Sequence, residues 1–159
     1  MTVSVFKRGE VILAHTVYGL ILTLATVGEL LHEDVEADVA VAWLLAAGAV
    51  LLGAHLFSDA LAHVATTRDE LDWSEILSIG REDVSVVSGA IGAALIMAVA
   101  ALADLDSEGA LVMCVVGGLV ALAALCFYGL PQHRLVVRLS MSAVGVTFGA
   151  VIVLLENTV

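Results

Sequence analysis

The sequence predicts an all-α integral membrane protein, a single bundle of five transmembrane helices with its N-terminus cytoplasmic and its C-terminus outside. Three observations carry this prediction. Hydrophobic residues make up 61% of the 159-residue chain and charged residues only 14%, with a mean hydropathy of +1.07, whereas a soluble domain needs a far more polar surface. The apolar residues fall into five runs, each near the roughly 20 residues a helix needs to cross the hydrocarbon. The six basic residues, Lys7, Arg8, Arg68, Arg81, Arg134 and Arg138, all fall on one side of the bilayer when five helices are threaded from a cytoplasmic N-terminus. One span more or fewer scatters them over both faces.

The first run covers about 10–31 and follows Lys7 and Arg8. It is long for a signal-peptide core and ends in acidic sequence without a small-x-small cleavage site, so it is expected to stay as the first helix. The turn "HEDVEAD" (32–38) leads to the second run, about 39–66, and a polar cytoplasmic linker at 67–83 leads to the third, about 84–103. Within the linker, "DWSEILSIG" offers Asp72 or Ser74 as caps, Glu75 three residues after Asp72, and Trp73, Ile76, Leu77 and Gly80 on one side. That pattern fits a short helix lying on the membrane surface, or an ordinary connecting turn. "DLDSE" (104–108) separates the third run from the fourth, about 109–129, and "GLPQHR" (129–134), with the only proline, precedes the fifth, about 135–155. Nothing is left over for a second domain, so 1–159 is one transmembrane domain.

Small residues are frequent in the runs, and Gly145-x-x-x-Gly149 has the spacing that lets helices approach closely, within one chain or in a homodimer. Cys114 and Cys126 share one run about 18 Å apart on a helix, beyond disulfide reach. The net charge of −11, with one Lys against five Arg, is the acid-rich, Lys-poor composition expected of a halophilic archaeon. It also argues against a nucleic-acid partner, whose phosphates call for Lys and Arg. No nucleophile elbow, P-loop, HExxH or CxxC pattern is present, so the chain is not expected to be an enzyme.

The functional signal lies in "GAHLFSDALAHVATTR" (53–68), which sets His55, Asp59 and His63 four residues apart in an apolar run. An ionisable group in hydrocarbon costs several kcal/mol and asks for a partner, a cavity or a function. At this spacing the three drift only about 40° per step and share one helix face. Counting inward at 1.5 Å per residue, His63 lies roughly 7 Å deep, Asp59 roughly 13 Å and His55 roughly 19 Å, while His15 on the first helix lies roughly 10 Å deep. If the first two helices are antiparallel neighbours, His15 is level with the His63 to Asp59 part of the ladder. Thr16, Tyr18 and Thr23, with Ser58, Thr66 and Thr67, extend a polar track.

Four readings stay open for this constellation. His15, His55, Asp59 and His63 form a ligand set for Zn²⁺, Fe²⁺, Mn²⁺ or Co²⁺. The same groups could relay protons. His15 and His63 could ligate a haem from both sides. Or they could merely satisfy one another and hold two helices together. Glu29, with Glu33, Asp34, Glu36 and Asp38, forms an acidic outer rim or a cation-attracting vestibule. Cys114, Met97, Met113 and Met141 suit soft metals but equally suit packing, and His133 beside Arg134 reads as a cytoplasmic interface residue.

Five spans, N-in and C-out, a second helix running through small residues into "TTRDELDWSEI", and a closing "GLPQHRLVVRLSMSAVGVTFGAVIVLLE" together resemble the vacuolar iron transporter family. The resemblance covers most of the chain and is one of topology and texture rather than motif. It implies a homodimer of five-helix subunits that exports divalent iron or manganese from the cytoplasm, against protons, along a path lined by the first two helices. Where the family's first helix carries Asn-Asp-Gly, this chain has "LAHTVYGL", which keeps Gly19 and lacks the Asp. The family's Glu-rich cytoplasmic helices are replaced by 67–83. No family ligand carries over residue by residue, and His15, His55, Asp59 and His63 stand where the usual set would be.

The sequence thus predicts a multi-pass protein of the cell membrane that moves a divalent transition metal, with Asp59 as charged ligand, three His as neutral ligands, and protonation releasing the ion. The alternative is a non-transporting structural or accessory membrane protein whose His and Asp residues pair helices. A transporter additionally needs a cavity that reaches the ladder from one side.

Overall fold

A computed structural model of the chain describes residues 2–33, 35–67, 80 and 84–156. Five α-helices dominate it: α1 (Thr2–His32), α2 (Ala37–Thr67), α3 (Ser88–Leu102), α4 (Ser107–Tyr128) and α5 (Leu135–Glu156), with a 3₁₀ turn, η1 (Val84–Val87), directly before α3. α1, α2, α4 and α5 are each long and apolar enough to cross a membrane, and so is the 19-residue stretch Val84–Leu102 that η1 and α3 form together. Among the described residues there is no strand. The surface suits a lipid bilayer, since large apolar side chains such as Val50, Phe57 and Leu102 are more than two-thirds exposed, an arrangement that water would penalise and hydrocarbon does not.

The helix ends follow local rules. Asp106 caps α4, its carboxylate accepting from the Gly109 N–H at 2.7 Å, the usual service of an Asp at this position. α3 ends where Asp104 takes a φ of 51° and Leu105 N–H donates back to the Ala100 carbonyl at 2.9 Å, a left-handed close that Asp tolerates better than most residues. α1 begins near Thr2 rather than near residue 10. Its 31 residues make a rod of about 46 Å, longer than the bilayer core, because backbone hydrogen bonding continues through polar sequence where hydropathy stops. The third run differs in another way: its first four residues form η1 and only the remainder is α-helical.

α1 is the hub of the bundle. It packs against η1 and each of the other four helices, whereas α2 leans chiefly on α3 and only lightly on α1, and α4 pairs with α5. Glycines set the closest approaches. A Cβ on Gly19 would overlap the Val86 carbonyl, so η1 sits directly on α1. Cβ atoms on Gly118 and Gly149 would come within 2.7 Å of Leu24 and 2.9 Å of Leu119 respectively, and one on Gly145 within 3.1 Å of the Cys126 sulfur. The Gly145/Gly149 pair is therefore used inside the chain, where it seats α5 on α4. Cys114 and Cys126 are both free thiols.

Two ends of the bundle can be distinguished. The α4–α5 turn lies beside the start of α1, where a Cβ on Gly129 would meet the Leu13 side chain; this end carries Arg134 and Arg138. The Arg138 Nε donates to the Phe127 carbonyl at 2.7 Å and its guanidinium lies 3.9 Å from the Phe127 ring centre. At the other end, the close of α5 reaches α1, with Gly28 against Glu156 and Val153. The larger core cluster lies toward this acidic end and joins Val27 and Leu30 of α1 to Ala40 and Leu44 of α2, Met97 and Ala100 of α3, and Leu111 of α4. A second cluster ties Leu20 and Leu24 to Leu122 and Val153. In the basic-end half of α2 a Cβ on Gly53 would meet nothing within 4 Å, and Phe57 and Leu61 are exposed.

Candidate functional site

Helix α2 carries His55, Asp59 and His63 in one unbroken run of turns, and α1 carries His15. The two helices bring His15 and His55 together: their ring centres are 5.4 Å apart and the rings meet edge to face at 77°. Tyr18, one turn along α1 from His15, lies 5.4 Å from the same His55 ring, tilted by 47°. His55 thus meets two rings of α1. Its Nδ1 is 3.3 Å from the Leu51 carbonyl; the tautomer that donates this bond leaves the Nε2 lone pair available, as metal-ligating imidazoles commonly do. The His15 ring is half-buried and its Nδ1 is enclosed.

The rest of the expected ladder is less concentrated. Asp59, one turn beyond His55, is exposed, and His63 is half-buried. The spacing did place the three α2 residues on one helix; it could not reveal that α2 would lean on α3 and turn Asp59 to the outside. Among the described residues no three His, Cys, Asp or Glu side chains converge as a ready metal cage. The pair His15/His55 is the part of the constellation that is assembled.

The hydroxyls of the polar track are largely committed to their own helix. Thr16 donates to the Ile12 carbonyl at 2.8 Å and Thr23 to Gly19 at 2.9 Å; Thr26, outside that track, does the same to Leu22 at 3.1 Å. Such i−4 bonds let a hydroxyl sit in apolar surroundings, while its lone pairs still accept. Ser58 is exposed. The side chains of Thr66 and Thr67, Asp34, Arg68, Arg81 and the surface-helix motif at 72–79 lie outside the described residues.

A groove of about 470 Å³ runs between α1 and α2 above this pair. Its floor is formed by Leu22, Leu51 and Ala54, its walls include Thr23 and Thr26, and its mouth at the acidic end carries Glu29 and Glu156. Glu156 closes α5 and stands with Glu29 at this mouth. The signal that it belongs beside Glu29 is parity, because α1 and α5 are both odd-numbered spans and end on the same side. Cys114 is buried in the core and donates weakly to the Ala93 carbonyl at 3.7 Å, and Met97 is fully buried; packing accounts for both. No family model, characterised protein or solved structure matches the chain.

Proposed function

We propose that this protein is a multi-pass transporter of a divalent transition metal, oriented with the basic end cytoplasmic, in which His15 and His55 form the core of the cargo site. The observation that carries this reading is the ring pair. Two imidazoles bound to one tetrahedral ion, with metal–nitrogen distances near 2.0–2.1 Å, place their ring centres about 5.2 Å apart. The separation of 5.4 Å between His15 and His55 is close to that value, and a rotation of the two rings about their side-chain torsions turns one nitrogen of each toward a shared ion. The Leu51 carbonyl orients His55, and Asp59, on the next turn of α2, completes the shell with its carboxylate. In that bound state Asp59 supplies the negative charge and His63 a further nitrogen toward the cytoplasm.

The reading also rests on position. The α1–α2 groove ends at Leu22, Leu51 and Ala54, and His55 stands one turn beyond Leu51 on α2, before the ladder residues Asp59 and His63. Imidazole and carboxylate suit Fe²⁺, Mn²⁺, Co²⁺ or Zn²⁺ better than they suit Mg²⁺ or Ca²⁺, which prefer all-oxygen shells. Protons compete for the same lone pairs, which gives a direct means of coupling ion release to pH. The resemblance to the vacuolar iron transporter family supports iron or manganese as cargo, a proton-driven cycle and a homodimer.

A second reading is favoured by the exposure of Asp59: an accessory membrane protein in which the edge-to-face rings only fasten α1 to α2. The two part company in proteoliposomes loaded with a divalent-metal indicator dye. Transport predicts uptake of Mn²⁺ or Fe²⁺ that is lost in His55→Ala and Asp59→Asn with the fold intact. Uptake no faster than in protein-free vesicles leaves only the fastening role.

A further inference from the structure

We infer that the Tyr18–His55 ring pair is a gate that separates the α1–α2 groove from His15, so that Tyr18 decides when the site communicates with the acidic face. This rests on the transport reading above for its purpose, but its physical content is a barrier that can be measured without any ion. The groove descends from Glu29 and Glu156 and stops at Leu22 on α1 and at Leu51 and Ala54 on α2. One turn further in on each helix stand Tyr18, four residues before Leu22, and His55, four residues after Leu51. Their rings bridge the gap between the helices at 5.4 Å. Behind Tyr18, about one turn further along α1 from the groove, His15 meets the same His55 ring with its Nδ1 enclosed.

Three features suit this pair to opening. α1 and α2 touch only lightly, so the gap between them is filled by side chains and not by close backbone contact. Tyr18 is 47% exposed, which leaves its ring a rotamer path out of the gap that a core residue would lack. No atom lies within 4 Å of the Cβ position of Gly53, two residues before His55, so there is open space on that side of α2 into which a small tilt could part the rings. The gate is then a ring swing of Tyr18 or a tilt of α2, of the kind that commonly controls access to a closed site. The phenol ring provides the bulk, so Phe should serve in its place and Ala should not.

The test uses accessibility from the acidic face in sealed vesicles of known orientation, in a background with Cys114→Ala and Cys126→Ala. A membrane-impermeant, positively charged thiol reagent is added to Ala54→Cys, at the groove floor, and separately to His15→Cys, behind the rings, each with Tyr18, Tyr18→Phe or Tyr18→Ala. The expected result is steady labelling of Ala54→Cys in all three, which also certifies the fold. His15→Cys should be slow with Tyr18 or Tyr18→Phe and about tenfold faster with Tyr18→Ala, the behaviour of a removed lid. Equal rates at His15→Cys in all three backgrounds, or no labelling of Ala54→Cys, overturn the gate. A gate that behaves as expected in a protein that neither binds nor moves metal would keep this inference and refute the transport reading.

Discussion

Gly19→Ala is the substitution whose consequence follows most directly from the geometry. A methyl group at this position would lie inside the van der Waals shell of the Val86 carbonyl oxygen and against the Val86 Cα at 3.0 Å. Both are backbone atoms, so no rotamer change relieves the overlap. α1 and η1 must separate, and η1 is held by the buried side chains of Val86 and Val87. Overpacking of this kind costs about 1–3 kcal/mol, and the upper part of that range applies where the obstacle is backbone. At roughly 2–4 °C per kcal/mol for a chain of this size, the melting temperature should fall by about 6–10 °C. Gly53→Ala is the matched control: nothing lies within 4 Å of its Cβ position, and replacing a mid-helix Gly by Ala gains about 0.5–1 kcal/mol. Thermal melts of the two variants in one detergent, followed by helical circular dichroism, compare them directly. Gly19→Ala melting within 2 °C of the parent, or of Gly53→Ala, would refute the claim that η1 is seated on the bare backbone of α1.

Three further outcomes follow from named contacts. Arg138→Ala removes both the bond to the Phe127 carbonyl and the stacking on the Phe127 ring; a loss of about 1–2 kcal/mol in reversible unfolding is expected, with Arg138→Lys intermediate because Lys lacks the planar fork. Gly149→Leu should lower thermal stability without changing the protein mass of the detergent complex measured by light scattering, because Gly149 faces Leu119, Leu122 and Leu24 of its own chain. Leu122→Ala, at a fully buried position, should cost about 2 kcal/mol, near the lower end of soluble-protein values, because only cavity and contact terms are lost when the unpacked alternative is lipid and not water.

The number and order of the helices were legible because each run must satisfy its backbone internally across the hydrocarbon, which leaves helix as the option for a chain with runs of this length. The five segments read from hydropathy match the five spans to within a few residues, apart from the polar extension of α1 and the η1 turn. η1 was hidden because the cue for it is tertiary: Gly19, on a different helix, leaves the space it fills. The helix faces were harder to read. α3 and α4 are apolar nearly all round, so their periodicity gives no inward stripe, and the preference of α2 for α3 over α1 could not be inferred from spacing.

The candidate site was legible in part for the same reason. A carboxylate and imidazoles in an apolar run are conspicuous in any sequence, and depth counting put His15 and α2 within reach of each other. It placed His15 level with His63 and Asp59, whereas the structure sets it against His55, a step nearer the acidic end. Asp59 is exposed while His55 and His63, on either side of it along the ladder, are half-buried, a difference that spacing alone does not carry. Tyr18 was visible only as one polar residue among several; its importance comes from standing one turn from His15 and opposite the groove floor, a relation between two helices. The Glu29/Glu156 mouth likewise joins residues from opposite ends of the sequence.

The central claim is that His15 and His55 form a metal site, and calorimetric titration of the purified protein with Fe²⁺, Mn²⁺ and Zn²⁺ tests it most directly. The account predicts micromolar binding of at least one ion, abolished in His55→Ala, weakened in Asp59→Asn, and unchanged in His133→Ala, whose position lies in the α4–α5 turn. No heat of binding for any of the three ions with the folded parent protein would contradict it and leave the two imidazoles as a contact between helices.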